Sequence, residues 1–312
     1  YYRWNIFKKL FPFYATVGLI YLFILVGSII SGKRFSPWLN RSFMILILIG
    51  FLAHTAGLGI RWYISGHAPM SNGYESMIFV SWVTILAGFL FNKYSPFSLS
   101  ATAILGGFTL MVANLSFMDP QITNLVPVLK SYWLTLHVSV ITGSYGFLGL
   151  GAILGIINLI LFMLQSKKNK TRINETIESL TVINHKTLIL GVIFLTIGTF
   201  LGAVWANESW GRYWGWDPKE TWSLITIIVY TVVTHARLVK NMNGIFVFNV
   251  LSVYAFFSVL MTYFGVNYYL SGLHSYAGGD PVPIPTFVYV SIGLLITLSL
   301  LSWVNHKNMR SA

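Results

Sequence analysis

Between Lys130 and Lys167 the chain carries no Asp, Glu, Lys or Arg. A bilayer core needs only about 20 apolar residues for one helical crossing, so this stretch crosses a membrane with residues to spare. Inside lipid, backbone N–H and C=O groups must be satisfied within the segment or in a closed barrel. A continuous apolar run, rather than strict alternation, selects the helix. The same pattern predicts spans at about 10–31, 39–60, 75–92, 97–116, 133–165, 187–205, 219–239, 245–268 and 285–305. Only 9% of the residues are charged, against about 25% in soluble domains. The expected fold class is an all-α polytopic membrane protein of eight to nine transmembrane helices. No repeat and no Pro/Gly linker divides the chain, so residues 1–312 are read as a single membrane domain. The polar tract KKNKTRINETIESLTVINHK is expected to form a helix-compatible surface connection before the sixth span.

The net charge of +12 belongs to topology rather than to a nucleic-acid surface, because the basic residues cluster between the apolar runs. Thirteen Lys and Arg fall in one set of loops and seven in the other. The richer set is assigned to the cytoplasm, leaving six of the eight acids outside. Lys8 and Lys9 do not fit, since nine spans place the N-terminus outside; a preceding external domain would resolve them. The chain opens on Tyr1 rather than Met, without a cleavable signal-peptide pattern, and is expected to be a piece of a longer protein. With no Cys, a disulfide framework, a thiolate metal site and a cysteine nucleophile are excluded.

One loop on the outer side stands apart. WANESWGRYWGWDPKETW, Trp205 to Trp222, holds five tryptophans in eighteen residues. Asp217, Pro218 and Glu220 have the spacing of a helix start with a capping box. The rings Trp205, Trp210, Tyr213, Trp214, Trp216 and Trp222 follow neither a helical stripe nor a strand alternation. An interfacial aromatic belt explains two or three rings at helix ends but not the cluster. A flat apolar platform for a large planar ligand explains the whole of it, with Gly211 and Gly215 permitting close backbone approach.

Histidine is the natural axial ligand if that planar ligand is haem. His137, near the start of the fifth span, and His274, after the eighth, share the outer side with the loop. His235 lies about 25 Å along a helix from Pro218, toward the cytoplasm, so two ligand positions are implied. Each has a plainer reading: His235 can complement a helix C-terminus, and His137 can be an ordinary packed residue. His54 reads as a satisfied core histidine, His67 as a loop residue beside the same site, and His185 and His306 as surface residues. A cytochrome b arrangement, with paired histidines inside the bundle, is disfavoured because His67 falls past the membrane edge.

At these residues the chain resembles the CcsA/ResC family of system II cytochrome c biogenesis. The tryptophan loop looks like the WWD signature of haem-handling proteins. WLTLHVSVITGSYG around His137, YTVVTHARL around His235, GVNYYLSGLHSYA around His274 and RWYISGHAPMSNGYESMIFVSW are similar to that family's motifs, and together they cover most of residues 50–280. The resemblance implies a protein of the bacterial inner membrane that handles haem b. It implies that His235 holds haem at a transmembrane site, with the opposing ligand from a CcsB/ResB partner, separate or fused. It implies further that His137 and His274 hold haem at an external site against the loop 205–222, where apocytochrome c presents Cys-X-X-Cys-His and two thioether bonds form. Arg61, Arg212 and Lys219 on the outer face are candidates to neutralise the propionates. Asp217 stands among the cofactor-contacting candidates, though building the helix start is its more natural task. Two other functions compete: a haem exporter or chaperone that delivers without ligation, and a secondary transporter for an unrelated aromatic solute. The transporter predicts broken helices and a midplane site, whereas the aromatic density here is external.

Overall fold

The computed structural model describes residues 4–115, 118–122, 130–273 and 283–311. Its helices are α1 (Ile6–Ser31), α2 (Pro37–Ser65), α3 (Gly73–Asn92), α4 (Pro96–Ala113), α5 (Tyr132–Leu164), α6 (Lys170–Trp210), α7 (Pro218–His235), α8 (Ile245–Leu260) and α9 (Thr286–Ser311). Helix α8 continues through a π-helical segment, Met261–Gly265, and a last turn, Val266–Tyr269. Among the described residues, nine helices are long and apolar enough to cross a membrane. The chain is an all-α, multi-pass membrane protein.

Helices α2 and α6 are among those that outrun their predicted spans. Helix α2 continues to Ser65, where Gly66 caps it in a left-handed conformation and returns its N–H to Trp62 O. Helix α6 absorbs the polar tract that was expected to be a separate surface connection. It runs unbroken for 41 residues, about 60 Å. Ile173, Ile177, Leu180, Ile183 and Leu188 are buried along one helical face, while Arg172, Glu175 and Glu178 point away from it and stay exposed. That amphipathic period is what makes the tract a helix.

The chain divides into two compact units. The first comprises Tyr1–Ser28, Lys33–Leu150 and Ile189–Trp214. Apolar residues give no net drive for helices to associate in lipid, so close backbone approach and side-chain hydrogen bonds hold them. Gly107 illustrates the first: a Cβ there would meet Ala15 N at 2.7 Å and Phe11 O at 3.0 Å, so α4 lies directly on α1. Ser100 Oγ donates to Gly18 O at 3.0 Å and Ser81 Oγ to Gly106 O at 2.9 Å.

The second unit comprises Ile29–Gly32, Gly151–Leu188 and Gly215–Ala312. It is tied by a buried amide and hydroxyl network between α5, α6 and α8. Asn249 Nδ2 donates to Ile245 O and Thr181 Oγ1, both at 2.8 Å. Because Ile245 O can only accept, the amide of Asn249 is oriented unambiguously. Its Oδ1 then accepts from Asn158 Nδ2 at 2.8 Å and Asn184 Nδ2 at 3.3 Å. On α9, Ser302 Oγ donates to Leu159 O at 2.6 Å and Asn305 Nδ2 to Phe162 O at 2.8 Å.

Candidate functional site

In the first unit the site is organised by His137. Its ring is half-buried near the start of α5, and Nδ1 lies 2.7 Å from Gly198 O on α6. A carbonyl oxygen only accepts, so Nδ1 carries the proton and Nε2 the lone pair. This is the tautomer of a metal-ligating histidine whose other nitrogen donates to a backbone carbonyl. Trp205 stacks on the imidazole at 9° with centroids 6.3 Å apart. Trp205 is itself buried and meets Trp210 edge-on at 4.8 Å. Gly202 completes the seat: a Cβ there would stand 2.6 Å from Cε1 of His137. Trp205 is thus a buried neighbour of the histidine and not an open ring face. Ser131 Oγ donates to Glu208 Oε2 at 2.7 Å, tying the start of α5 to the end of α6.

Helix α6 ends at Trp210 because Gly211 follows with φ 71° and returns its N–H to Asn207 O at 2.9 Å. The loop proper is therefore residues 211–217, shorter than the 205–222 motif, and Trp205, Trp210 and Trp222 stand on helices. Tyr213 and Trp216 are 61% and 69% exposed. Arg212 and Trp214 are half-buried.

In the second unit, α7 opens with the expected capping box. Asp217 Oδ1 accepts from Lys219 N at 2.9 Å, and Glu220 Oε2 accepts from Asp217 N at 3.2 Å, with Pro218 in the first turn. Glu220 Oε2 also accepts from Gly215 N at 2.8 Å. Between these two amides Trp216 sits at φ 58°, a left-handed conformation that costs an L-residue roughly 1–2 kcal/mol. Asp217 is buried, and its Oδ2 accepts from Leu273 N at 2.6 Å. A Cβ on Gly272 would run into that carboxylate and into Pro218. With two backbone amides on its carboxylate, Asp217 is a positioning residue: it fastens the start of α7 to Gly272 and Leu273. His274 lies outside the described residues. Trp222 is half-buried, and its carbonyl accepts from Thr262 Oγ1 at 3.2 Å.

His235 ends α7, exposed, with Nδ1 2.8 Å from Thr231 O. The same reasoning puts its proton on Nδ1 and its lone pair on Nε2. Lys219, at the other end of α7, donates to Asn267 Oδ1 at 2.6 Å.

Arg61 differs from the expectation of an outer-face cation. It lies inside the extended α2, fully buried, and pairs with Glu75 through Nε at 2.8 Å. Its remaining nitrogens donate to Pro120 O at 2.9 Å and Gln121 O at 3.3 Å. The guanidinium ties α2 to the first turn of α3 and to the segment holding Pro120 and Gln121. His54 is a fully buried core residue whose Nε2 donates to Ile78 O at 3.0 Å, though its Nδ1 has no partner among the described residues. His67 is held within its own loop, Nδ1 to Ala68 O at 3.1 Å. His185 and His306 are not free surface residues. Each is half-buried, His185 against Phe248 and His306 between Phe162 and Phe246.

Sequence reasoning overlooked Gly198 and Gly202, which seat His137. Their spacing, GTFLG, is the small-residue pattern that lets two membrane helices approach, and that signal was available.

A family model described as "Cytochrome C assembly protein" matches residues 70–274. Protein NrfI of Wolinella succinogenes is 50% identical over 310 residues, 99% of this chain and 34% of that protein. The chain therefore spans about a third of that relative's length. Cytochrome c biogenesis protein CcsA of Chlamydomonas reinhardtii is 41% identical over 274 residues, 84% of this chain and 73% of that protein. CcsA of Prochlorococcus marinus (strain MIT 9301) is 33% identical over 303 residues, 87% of this chain and 97% of that protein.

Proposed function

The chain belongs to the cytochrome c assembly protein family, and we propose that within it the chain carries haem b across a bacterial inner membrane and presents it for covalent attachment to apocytochrome c. The loop Gly211–Asp217 faces the periplasmic side, in keeping with the distribution of Lys and Arg. His137 and His274 bind the iron there, and Tyr213, Trp214 and Trp216 receive the flat face or edge of the macrocycle. His235 binds haem earlier, nearer the cytoplasm, opposite a ligand from a CcsB/ResB partner.

The observation that carries this reading is the seat of His137. Its Nδ1–H is committed to Gly198 O at 2.7 Å, and the ring lies close against Gly202 and parallel to Trp205 on the same helix. An axial ligand is oriented when its other ring nitrogen donates to a backbone carbonyl, and here that bond is joined by the close seat on Gly202. The donor set suits haem on chemical grounds as well: neutral imidazoles for the iron and exposed aromatic rings for the macrocycle.

Haem supplies two vinyl groups. Each accepts a thiol of the Cys-X-X-Cys-His segment across its double bond, forming a C–S bond while the thiol hydrogen goes to the neighbouring carbon, with no net change of oxidation state. The thiols belong to the substrate, so the absence of Cys in this chain removes nothing. What the chain contributes is placement: holding two reactants in register lowers a barrier by up to several kcal/mol.

The test is an absorption spectrum of the protein purified with its CcsB/ResB partner, together with His137→Gly. The parent is expected to show a Soret band with bis-histidine character. His137→Gly is expected to lose external haem and cytochrome maturation, and added imidazole to restore part of both. Unchanged haem content in His137→Gly would remove this residue from the site. Bound haem without thioether formation would reduce the function to delivery.

A further inference from the structure

Trp216 is one of two non-glycine residues at positive φ among the described residues, the other being Asn5 near the N-terminus. A bulky aromatic side chain does not choose that conformation; something must hold it there. The groups that hold it are in the first turn of α7. Glu220 Oε2 accepts from Asp217 N at 3.2 Å and from Gly215 N at 2.8 Å, one amide on each side of Trp216. The peptide joining Trp216 to Asp217 is also fixed through its carbonyl, which accepts from Thr221 Oγ1 at 3.4 Å.

A capping box accounts for only part of this. In that motif the third-position Glu reaches back to the N-cap amide, here Asp217 N. The bond to Gly215 N lies two residues farther upstream and does nothing for the helix end. Backbone amides converging on one anionic oxygen about a left-handed residue form the kind of concavity that binds anions. Here a side chain of the same chain fills it, and the residue so locked carries an indole that is 69% exposed.

We propose that Glu220 is the positioning residue that presents the Trp216 ring to haem. This rests on the reading above that the loop rings receive haem. Without the carboxylate, the two amides lose their common acceptor, the left-handed conformation loses its compensation, and the ring is released to the other conformations open to it. Glu220 itself touches no ligand. Glutamine can serve in its place, because one amide oxygen can accept from both N–H groups.

The experiment uses the full chain with its partner subunit, labelled with 5-fluorotryptophan, the residue-216 fluorine resonance being assigned by Trp216→Phe. In the absence of haem, the parent and Glu220→Gln are expected to give one resonance for residue 216, and Glu220→Ala a broadened or multiple one. An unchanged resonance in Glu220→Ala overturns the proposal, whatever haem does. Haemin titration supplies the second arm. Glu220→Ala and Trp216→Ala are each expected to weaken external binding about tenfold, and the double variant no more than either alone. Independent roles would multiply to about a hundredfold in the double variant, which would also overturn the proposal. If Trp216→Ala leaves haemin binding intact while Glu220→Ala still disorders the resonance, Glu220 positions the ring as stated, and it is the haem contact of Trp216 that fails.

Discussion

Gly202→Ala isolates the seat of His137 without touching any candidate ligand. A Cβ at 202 would stand 2.6 Å from Cε1 and 2.7 Å from Nδ1, against about 3.4 Å for ordinary van der Waals contact. The imidazole must therefore retreat by about 0.8 Å. It has little freedom to do so, because Trp205 stacks on it and Gly198 O holds Nδ1 at 2.7 Å. A retreat of that size stretches the hydrogen bond to its limit and displaces Nε2 from where the iron needs it. Misplacement on the order of 1 Å can cost about a hundredfold in a positioned reaction, while overpacking by one methyl costs about 1–3 kcal/mol of stability. The assay is haem content per purified complex, with maturation of a reporter cytochrome c beside it. Gly59→Ala serves as the control, since a Cβ there meets nothing within 4 Å. Gly202→Ala is expected to lose most of its external haem while inserting and folding, and Gly59→Ala to match the parent. Parental haem content and maturation in Gly202→Ala would refute the reasoning, because the ring would then not depend on this seat for its position.

Two further outcomes are expected. His235→Ala, with the partner present, should leave thermal stability unchanged yet empty the external site and stop maturation, with externally supplied haemin refilling that site; normal loading would leave a protein with one site. Arg61→Met should destabilise the chain by about 3 kcal/mol, the lower end for breaking a buried pair, because Glu75 keeps its bonds from Ser71 N and Oγ. Arg61→Met with Glu75→Leu should recover most of that loss in denaturant unfolding, whereas a loss no smaller in the double variant would mean the pair is not the source.

The spans were legible because apolar length is read directly from composition along the chain, and the capping box because Asp217, Pro218 and Glu220 stand at fixed spacing. The misreadings have a common cause: charges taken as membrane edges. Arg61 marks the predicted end of α2, yet Glu75 pairs with it in the packed interior and the helix runs on to Ser65. The charges of 167–186 hid the period of Ile173, Ile177, Leu180 and Ile183, which alone would have extended α6. Other features lay beyond any local pattern. His137 and Gly198 are 61 residues apart, and the left-handed Trp216 follows from a bond between Glu220 and Gly215 that no propensity encodes. Spacing within a helix is written in the sequence; which helix a side chain leans on is not.

Of the histidines proposed as ligands, His137 and His235 share a tautomer but not the means of holding it, and that difference bears on what each can do. His235 donates Nδ1–H to Thr231 O, four residues earlier on its own helix, so nothing beyond α7 fixes the ring through that bond, and the residue is exposed. His137 donates to a carbonyl of another helix and is pinned by Gly202 and Trp205 of that same helix. A ligand that must take up haem and let it go gains from the first arrangement, because a locally held ring can follow its cargo. A ligand beside which two C–S bonds form gains from the second, because the vinyl carbons must stay in register with the thiols while both bonds close. Exchanging these features would exchange the tasks. A loosened His137 would bind haem yet fail at attachment, whereas Gly202→Ala, which displaces the ring, is expected to lose the haem itself.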